Sequence, residues 1–192
     1  MADIKTILFL GPTGSGKETQ ANFLHAKTGF EIFSTGKRYR KLRSENTDLA
    51  ARIKIDYDQG LLMPAWFSTF IFQEAFLYRP LAEGVICEGL GRTLFESKSF
   101  DEVMQWLGRD YVVFCLNIAE EESMARQMKR AETESRPDSD SAEKIRVRFT
   151  EYNRHTAPAI AFFREKGKVI DIDGSQTPEK VFEEVWAAYQ NL

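Results

Sequence analysis

A lysine that opens a helix directly after a glycine-rich turn can hold a phosphate chain, and residues 8–20 supply that arrangement. The stretch LFLGPTGSGKETQ runs from an apolar strand, through a turn, into a helix. Gly11, Gly14 and Gly16, with Ser15 between the last two, let the backbone curl without a Cβ clash, so that successive N–H groups point at one anion. Lys17 adds a mobile positive charge, and the helix start adds the positive end of its dipole. The spacing G-x4-G-K fits the P-loop, although the strict form ends in Ser or Thr and position 18 is Glu.

Such a cradle needs a sheet behind it. Five short apolar runs read as strands: Thr6–Leu10, Phe30–Phe33, Gly84–Cys87, Tyr111–Asn117 and Lys168–Ile172. Helical patterns separate them, as βαβ units in a parallel sheet require. In the last helix Val181, Phe182, Val185, Trp186 and Tyr189 share a face, with Thr177 as N-cap and Pro178 at the first helical position. Between Pro64 and Tyr78, the residues Trp66, Phe67, Phe70, Ile71 and Leu77 recur at helical spacing and read as core. Residues 35–62 hold two polar helical patterns, too long for a simple crossover, and read as a small helical insert. Residues 131–140 have no apolar member beyond Ala131 and read as a surface loop between helices at 120–130 and 141–164.

Composition narrows the classes. A chain of 192 residues, 43% hydrophobic and 29% charged, suits one soluble domain with a buried core. A net charge of −3 speaks against a nucleic-acid partner. No apolar run approaches the roughly 20 residues that span a bilayer, and the N-terminus passes straight into a strand without a signal peptide. Cys87 and Cys115 fall in strands, without CxxC spacing or a histidine cluster, so neither zinc nor a disulfide is expected. A cytoplasmic monomer is the simplest expectation.

Three separated motifs add to the loop reading. GPTGSGKETQ is similar to GxPGSGKGTQ. Ser34-Thr35-Gly36 followed by Arg40 is similar to STGDxxR. Glu88-Gly89-Leu90-Gly91-Arg92-Thr93 stands where DGFPRT is found. In order and spacing, over essentially its whole length, the chain resembles adenylate kinases and the wider nucleoside monophosphate kinases in a short-lid form. The stretch from the lid to Arg148 is one residue longer than usual.

That resemblance implies a P-loop α/β fold: three layers, α/β/α, around a five-stranded parallel sheet, in a single nucleotide-kinase domain over 1–192. A helical insert at about 35–64 would bind the monophosphate, and a short lid would lie at about 131–141. The implied activity is reversible, Mg²⁺-dependent transfer of the ATP γ-phosphoryl group to a nucleoside monophosphate, AMP by default. Gly11, Gly14, Ser15, Gly16, Lys17, Glu18 and Thr19 would hold ATP, with Arg126 stacked on its adenine. Thr35, Gly36, Arg40, Met63, Gly89, Arg92 and Glu96 would hold the acceptor. Lys17, Arg92, Arg130, Arg136 and Arg148 would be catalytic. Mg²⁺ would arrive on the nucleotide, with Thr19 and Glu88 near it, and no structural zinc is implied. The attacking phosphate oxygen is already ionised, so catalysis needs positioning and charge stabilisation rather than a general base. Planar guanidinium groups suit that task better than lysine. A lid excludes the water that would otherwise attack ATP.

Several positions depart from the pattern. Glu18 and Gly91 stand for Gly and Pro, Lys37 for Asp, and Glu88 for Asp. Glu96 stands where adenylate kinases place a Gln that reads adenine. An ionised carboxylate only accepts hydrogen bonds, which suits the N1–H and N2–H edge of guanine, unless Glu96 is protonated or turned to solvent. Removing the Glu18 charge is expected to tighten ATP binding. Asp138 and Asp140 read either as partners of Arg130 or Arg136, or as a solvated pair. His25 and His155 carry no expected role. Two other readings share these residues: a nucleotide-binding relative with weak or no turnover, and a P-loop kinase of another small acceptor.

Overall fold

The structure is a computed structural model that describes residues 4–132 and 138–192. Arg136 and the middle of the expected lid therefore lie outside the described residues. Five strands, β1 (Thr6–Leu10), β2 (Glu31–Ser34), β3 (Val85–Glu88), β4 (Tyr111–Asn117) and β5 (Val169–Asp173), form one sheet in the order β2-β3-β1-β4-β5. Every pairing is parallel. The run Thr-Ile-Leu-Phe-Leu of β1 is buried at every position, as a central strand covered on both faces must be.

Alternation along the strands sends side chains to two cores. Ile7, Phe9, Phe114 and Leu116 pack with Leu24 of α1 (Lys17–Thr28) and with Val181 and Val185 of α9 (Pro178–Gln190). Leu8, Leu10, Val113 and Cys115 pack on the other face. Their partners come from α4 (Ala65–Leu77), α5 (Leu94–Trp106) and α8 (Ala157–Glu165). Between β2 and α4 lie α2 (Thr35–Arg43) and α3 (Asp48–Tyr57), with a separate cluster of Tyr39, Ile53, Tyr57, Met63, Phe67 and Ile71. The Ser34 hydroxyl caps α2 by accepting from the Lys37 N–H at 3.3 Å. Among the described residues no helix is long and apolar enough to cross a membrane.

Strand bounds agree with expectation to within one residue, and the difference matters. β2 and β3 run on to Ser34 and Glu88, which face each other in register at the carboxyl edge of the sheet. Other expectations need correction. Trp66, Phe70 and Leu77 are 67%, 57% and 53% exposed, whereas Phe72 and Phe76 on the same helix fill the core. α4 is apolar on all sides, so its periodicity could not say which side faces inward. The helix expected over 141–164 is three pieces: α7 (Ala142–Glu151), a π-helical turn over Tyr152–Thr156, and α8. Pro158 lacks the N–H that an uninterrupted helix would need, and the wide turn absorbs the break. Thr177 precedes α9, but its hydroxyl makes no capping bond.

Candidate active site

The carboxyl edge of the sheet and the surrounding helices enclose a cleft of about 880 Å³, within the range that holds small ligands. Its floor is the P-loop between β1 and α1. Gly11 takes a φ of 132°, and a Cβ there would lie 2.4 Å from the Leu116 carbonyl oxygen, so only glycine lets the loop pass so close to β4. Lys17 Nζ donates to the carbonyl oxygens of Gly11 and Pro12 at 2.9 and 2.6 Å, and to Ser15 Oγ at 3.3 Å. Lys17 as a whole is half-buried, and its ammonium sits among these three protein oxygens. Burial, then Arg92, pushes its pKa down to about 7; Arg148 acts the same way and Glu88 opposes it.

Around this ammonium, five arginines among the described residues line the one cleft: Arg40 from α2, Arg92 after β3, Arg126 and Arg130 from α6 (Glu120–Ala131), and Arg148 from α7. Like charges in one cleft repel, and most of these have an anchor. Arg40 Nη1 donates to Tyr57 Oη at 3.4 Å. Arg126 donates to the carbonyls of Gly174 and Ser175 at 2.9 and 3.0 Å, and also pairs with Glu122. Arg130 Nη2 meets Glu18 Oε2 at 3.1 Å. Arg148 Nη1 meets Asp138 Oδ2 at 2.7 Å. Asp138 thus orients Arg148 rather than Arg130, while Asp140 pairs with Lys144 at 3.0 Å in the open.

The expected ATP-side residues Gly11, Gly14, Ser15, Gly16, Glu18, Thr19 and Arg126 all line the cleft, as do Gly36, Met63, Gly89 and Glu96 on the other side. Thr35 does not; it is buried behind the wall, and its Oγ1 has no hydrogen-bond partner. Neither His25 nor His155 reaches the cleft. Glu96 is 2% exposed, so it is not turned to solvent. Its Oε2 accepts from the Arg92 N–H at 2.9 Å, and its own N–H donates to Thr93 Oγ1 at 3.2 Å, which caps the start of α5. Burial raises its carboxyl pKa, against the pull of Arg92 and the hydroxyls of Ser68 and Thr93. Gly91 takes a φ of 71°, which proline cannot adopt. Glu88 Oε2 accepts from the Ser34 hydroxyl at 2.6 Å. Glu88 and Thr19 offer hard oxygen donors in the cleft, the kind of ligand Mg²⁺ takes.

Sequence reasoning missed one wall. Gly174, Ser175, Gln176 and Thr177, between β5 and α9, line the cleft beside Arg126. The available signal was positional, because loops at the carboxyl ends of strands form the ligand crevice of open α/β sheets. A Cβ on Gly174 would lie 2.9 Å from the Asn117 carbonyl oxygen, so a larger residue would push this wall outward. The Ser123 hydroxyl donates to the Thr13 carbonyl and fastens α6 to the P-loop, with nothing in the local sequence to announce it.

A parallel sheet, a P-loop after its central strand and a cleft lined by guanidinium groups define the chain as a P-loop phosphotransferase. Its sequence matches the adenylate kinase family over residues 9–168, and the chain belongs to that family. It is 34% identical to the adenylate kinase of Maricaulis maris, over 96% of this chain and 98% of the relative. Against the adenylate kinase of Thermus thermophilus the identity is 33%, over 96% of each chain. The adenylate kinase of Flavobacterium johnsoniae is 30% identical, over 97% of this chain and 98% of the relative.

Proposed function

We propose that this chain transfers the γ-phosphoryl group of ATP reversibly to a nucleoside monophosphate, with AMP as the first acceptor to consider and ADP as its product. The observation that carries the reading is the convergence on one cleft of Lys17 from α1 and five guanidinium groups from α2, the loop after β3, α6 and α7. The P-loop N–H groups and Lys17 hold the donor phosphates, and the β5–α9 loop with Arg126 holds the donor base. In-plane donation from Arg126 to two carbonyls fixes its guanidinium and leaves the flat faces for stacking. Arg40 and Arg92 grip the acceptor phosphate, with Gly36, Gly89 and Met63 around it. Arg130, Arg136 and Arg148 neutralise charge that develops on the transferring group, and residues at about 131–141 serve as the lid. Mg²⁺ would neutralise the β- and γ-phosphates when bound with ATP, with Thr19 and Glu88 holding its water.

A panel of AMP, GMP, CMP, UMP and dTMP with Mg·ATP tests this. Diphosphate formation from at least one of them is expected. Tight binding of a bisubstrate dinucleoside polyphosphate without any turnover would overturn the activity. The same panel tests Glu96, whose carboxylate lines the acceptor side. Glu96→Gln keeps an oxygen for the Arg92 N–H and adds an N–H₂ for adenine N1. We expect it to move the AMP-to-GMP ratio of kcat/KM toward AMP by on the order of tenfold. Lowering the pH should move the wild-type ratio the same way, because a protonated carboxyl also donates. An unmoved ratio would remove Glu96 as a reader of the base.

A further inference from the structure

Glu18 is paired with two cations that come from different helices, α6 and α2. Its Oε2 meets Arg130 Nη2, near the end of α6, at 3.1 Å. Its Oε1 lies 3.5 Å from Lys37 Nζ, in the first turn of α2. The carboxylate itself stands in the first turn of α1, directly after the P-loop lysine. One side chain therefore ties the phosphate loop both to the arginine beside the lid and to the helix that carries Arg40. All three groups keep solvent access, at 28% for Glu18, 32% for Arg130 and 51% for Lys37, so these pairs contribute little to holding the fold together. Interactions of that strength do matter to a soft equilibrium such as the position of an insert.

From this geometry we infer that Glu18 is a positioning residue that couples the two substrate sides, because its carboxylate pairs with both Arg130 and Lys37. The inference rests on the proposed kinase reading. A triphosphate competes with Glu18 for Arg130. As Arg130 turns toward phosphate, a cation competing for the carboxylate is removed and the existing 3.5 Å pair with Lys37 strengthens, which holds α2 against the P-loop and Arg40 over the acceptor. Donor binding then strengthens acceptor binding, and by linkage the acceptor strengthens donor binding by the same factor. Glu18 also offsets the positive charge of Arg130 and Lys37 while no phosphate is present, which lowers the affinity for ATP alone.

The test is calorimetric titration of AMP and of GMP, each with and without a saturating non-hydrolysable ATP analogue and Mg²⁺. For the wild type, the analogue should tighten the bound monophosphate by about two- to five-fold. Glu18→Gln should abolish that enhancement and tighten ATP-analogue binding on its own. Lys37→Gln should abolish the enhancement without tightening the analogue, and Lys37→Arg, which keeps the charge, should restore it. Melting temperatures of all variants are checked against the wild type, and Lys37→Gln, at an exposed site, keeps the comparison open if Glu18→Gln folds poorly. If the enhancement survives in Lys37→Gln, Glu18 acts by plain repulsion of phosphate and the coupling is overturned. If wild type binds either monophosphate but shows no enhancement, the coupling alone fails. Absence of any monophosphate binding would overturn the acceptor assignment as well.

Discussion

Replacing Lys17 by methionine should lower turnover about a thousandfold and, at the same time, raise the melting temperature of the nucleotide-free protein. The two effects share one cause. Lys17 holds its ammonium among three protein acceptors, close to Arg92 and Arg148, with Glu88 as the opposing charge. Folding lowers its pKa from 10.5 to about 7, so between those values the unfolded chain binds the proton that the folded chain releases. The cost to folding is largest at and below pH 7 and fades as pH rises to the unfolded value. After solvent screening it is on the order of 2 kcal/mol. For a chain of this length that corresponds to about 4–8 °C at neutral pH. Methionine keeps the length of the side chain and removes the charge, while cleft water can take over the Gly11 and Pro12 carbonyls. Differential scanning calorimetry at pH 7 and pH 10 reads the effect directly: the gap between variant and wild type should shrink at the higher pH. A variant that melts at the wild-type temperature at pH 7 would show that the ammonium is not strained in the empty cleft.

What made the fold legible was the contrast between buried strands and amphipathic helices. β1 and β4 are nearly all apolar because both their faces are covered, and a run such as Tyr111–Asn117 has no competing reading between two turn signals. α4 shows the limit of the same reasoning. With aromatics on every side, its inward face is chosen by the neighbours it meets, and Phe72 and Phe76 meet Phe100 whereas Phe70 meets water. The candidate site was legible for a related reason. Phosphate chemistry needs particular residue types at a loop with a recognisable rhythm, so Lys17 and its glycines could be marked from spacing alone, and family resemblance placed the arginines.

Partners across the chain were not legible. The pairing of Glu18 with Lys37 and Arg130 joins residues far apart in sequence, and Glu18 and Lys37 each read singly as a departure from the family pattern. Together, Glu18 and Lys37 restore a charge balance that neither explains alone. From its resemblance to an acidic lid-hinge residue of the family, Asp138 reads in the sequence as a partner of Arg130 or Arg136, or as a solvated residue, and the fold brings Arg148 within 2.7 Å of it. Glu96 was read as a base-facing group. Its bonds to the Thr93 cap and to the Arg92 N–H before it follow from the Thr-x-x-Glu spacing over residues 93–96, a signal present in the sequence.

Binding of ATP should draw protons from solution above neutral pH, approaching one per nucleotide near pH 8.5. Burial and the charges of Arg92 and Arg148 push the Lys17 pKa down to about 7 in the folded protein without nucleotide. A bound polyphosphate places negative charge beside the ammonium and returns its pKa toward the ordinary lysine value. At pH 6 the free protein already carries that proton and little uptake follows. Above pH 7 the free protein has lost it, so affinity for ATP should fall as pH rises, by up to about tenfold per unit. The phosphate itself does not supply this slope, because a phosphate monoester's second ionisation lies at about pH 6. Titration calorimetry in two buffers of different ionisation enthalpy measures the uptake at each pH. Lys17→Arg separates the sources: a guanidinium stays charged throughout the window, so uptake above pH 7 should vanish in that variant even where binding survives. Equal apparent enthalpies in both buffers at pH 8.5 for the wild type would mean that the ammonium keeps its proton in the empty cleft. The burial of Lys17 would then carry no electrostatic cost, and the expected gain in melting temperature for methionine at this position would fall with it.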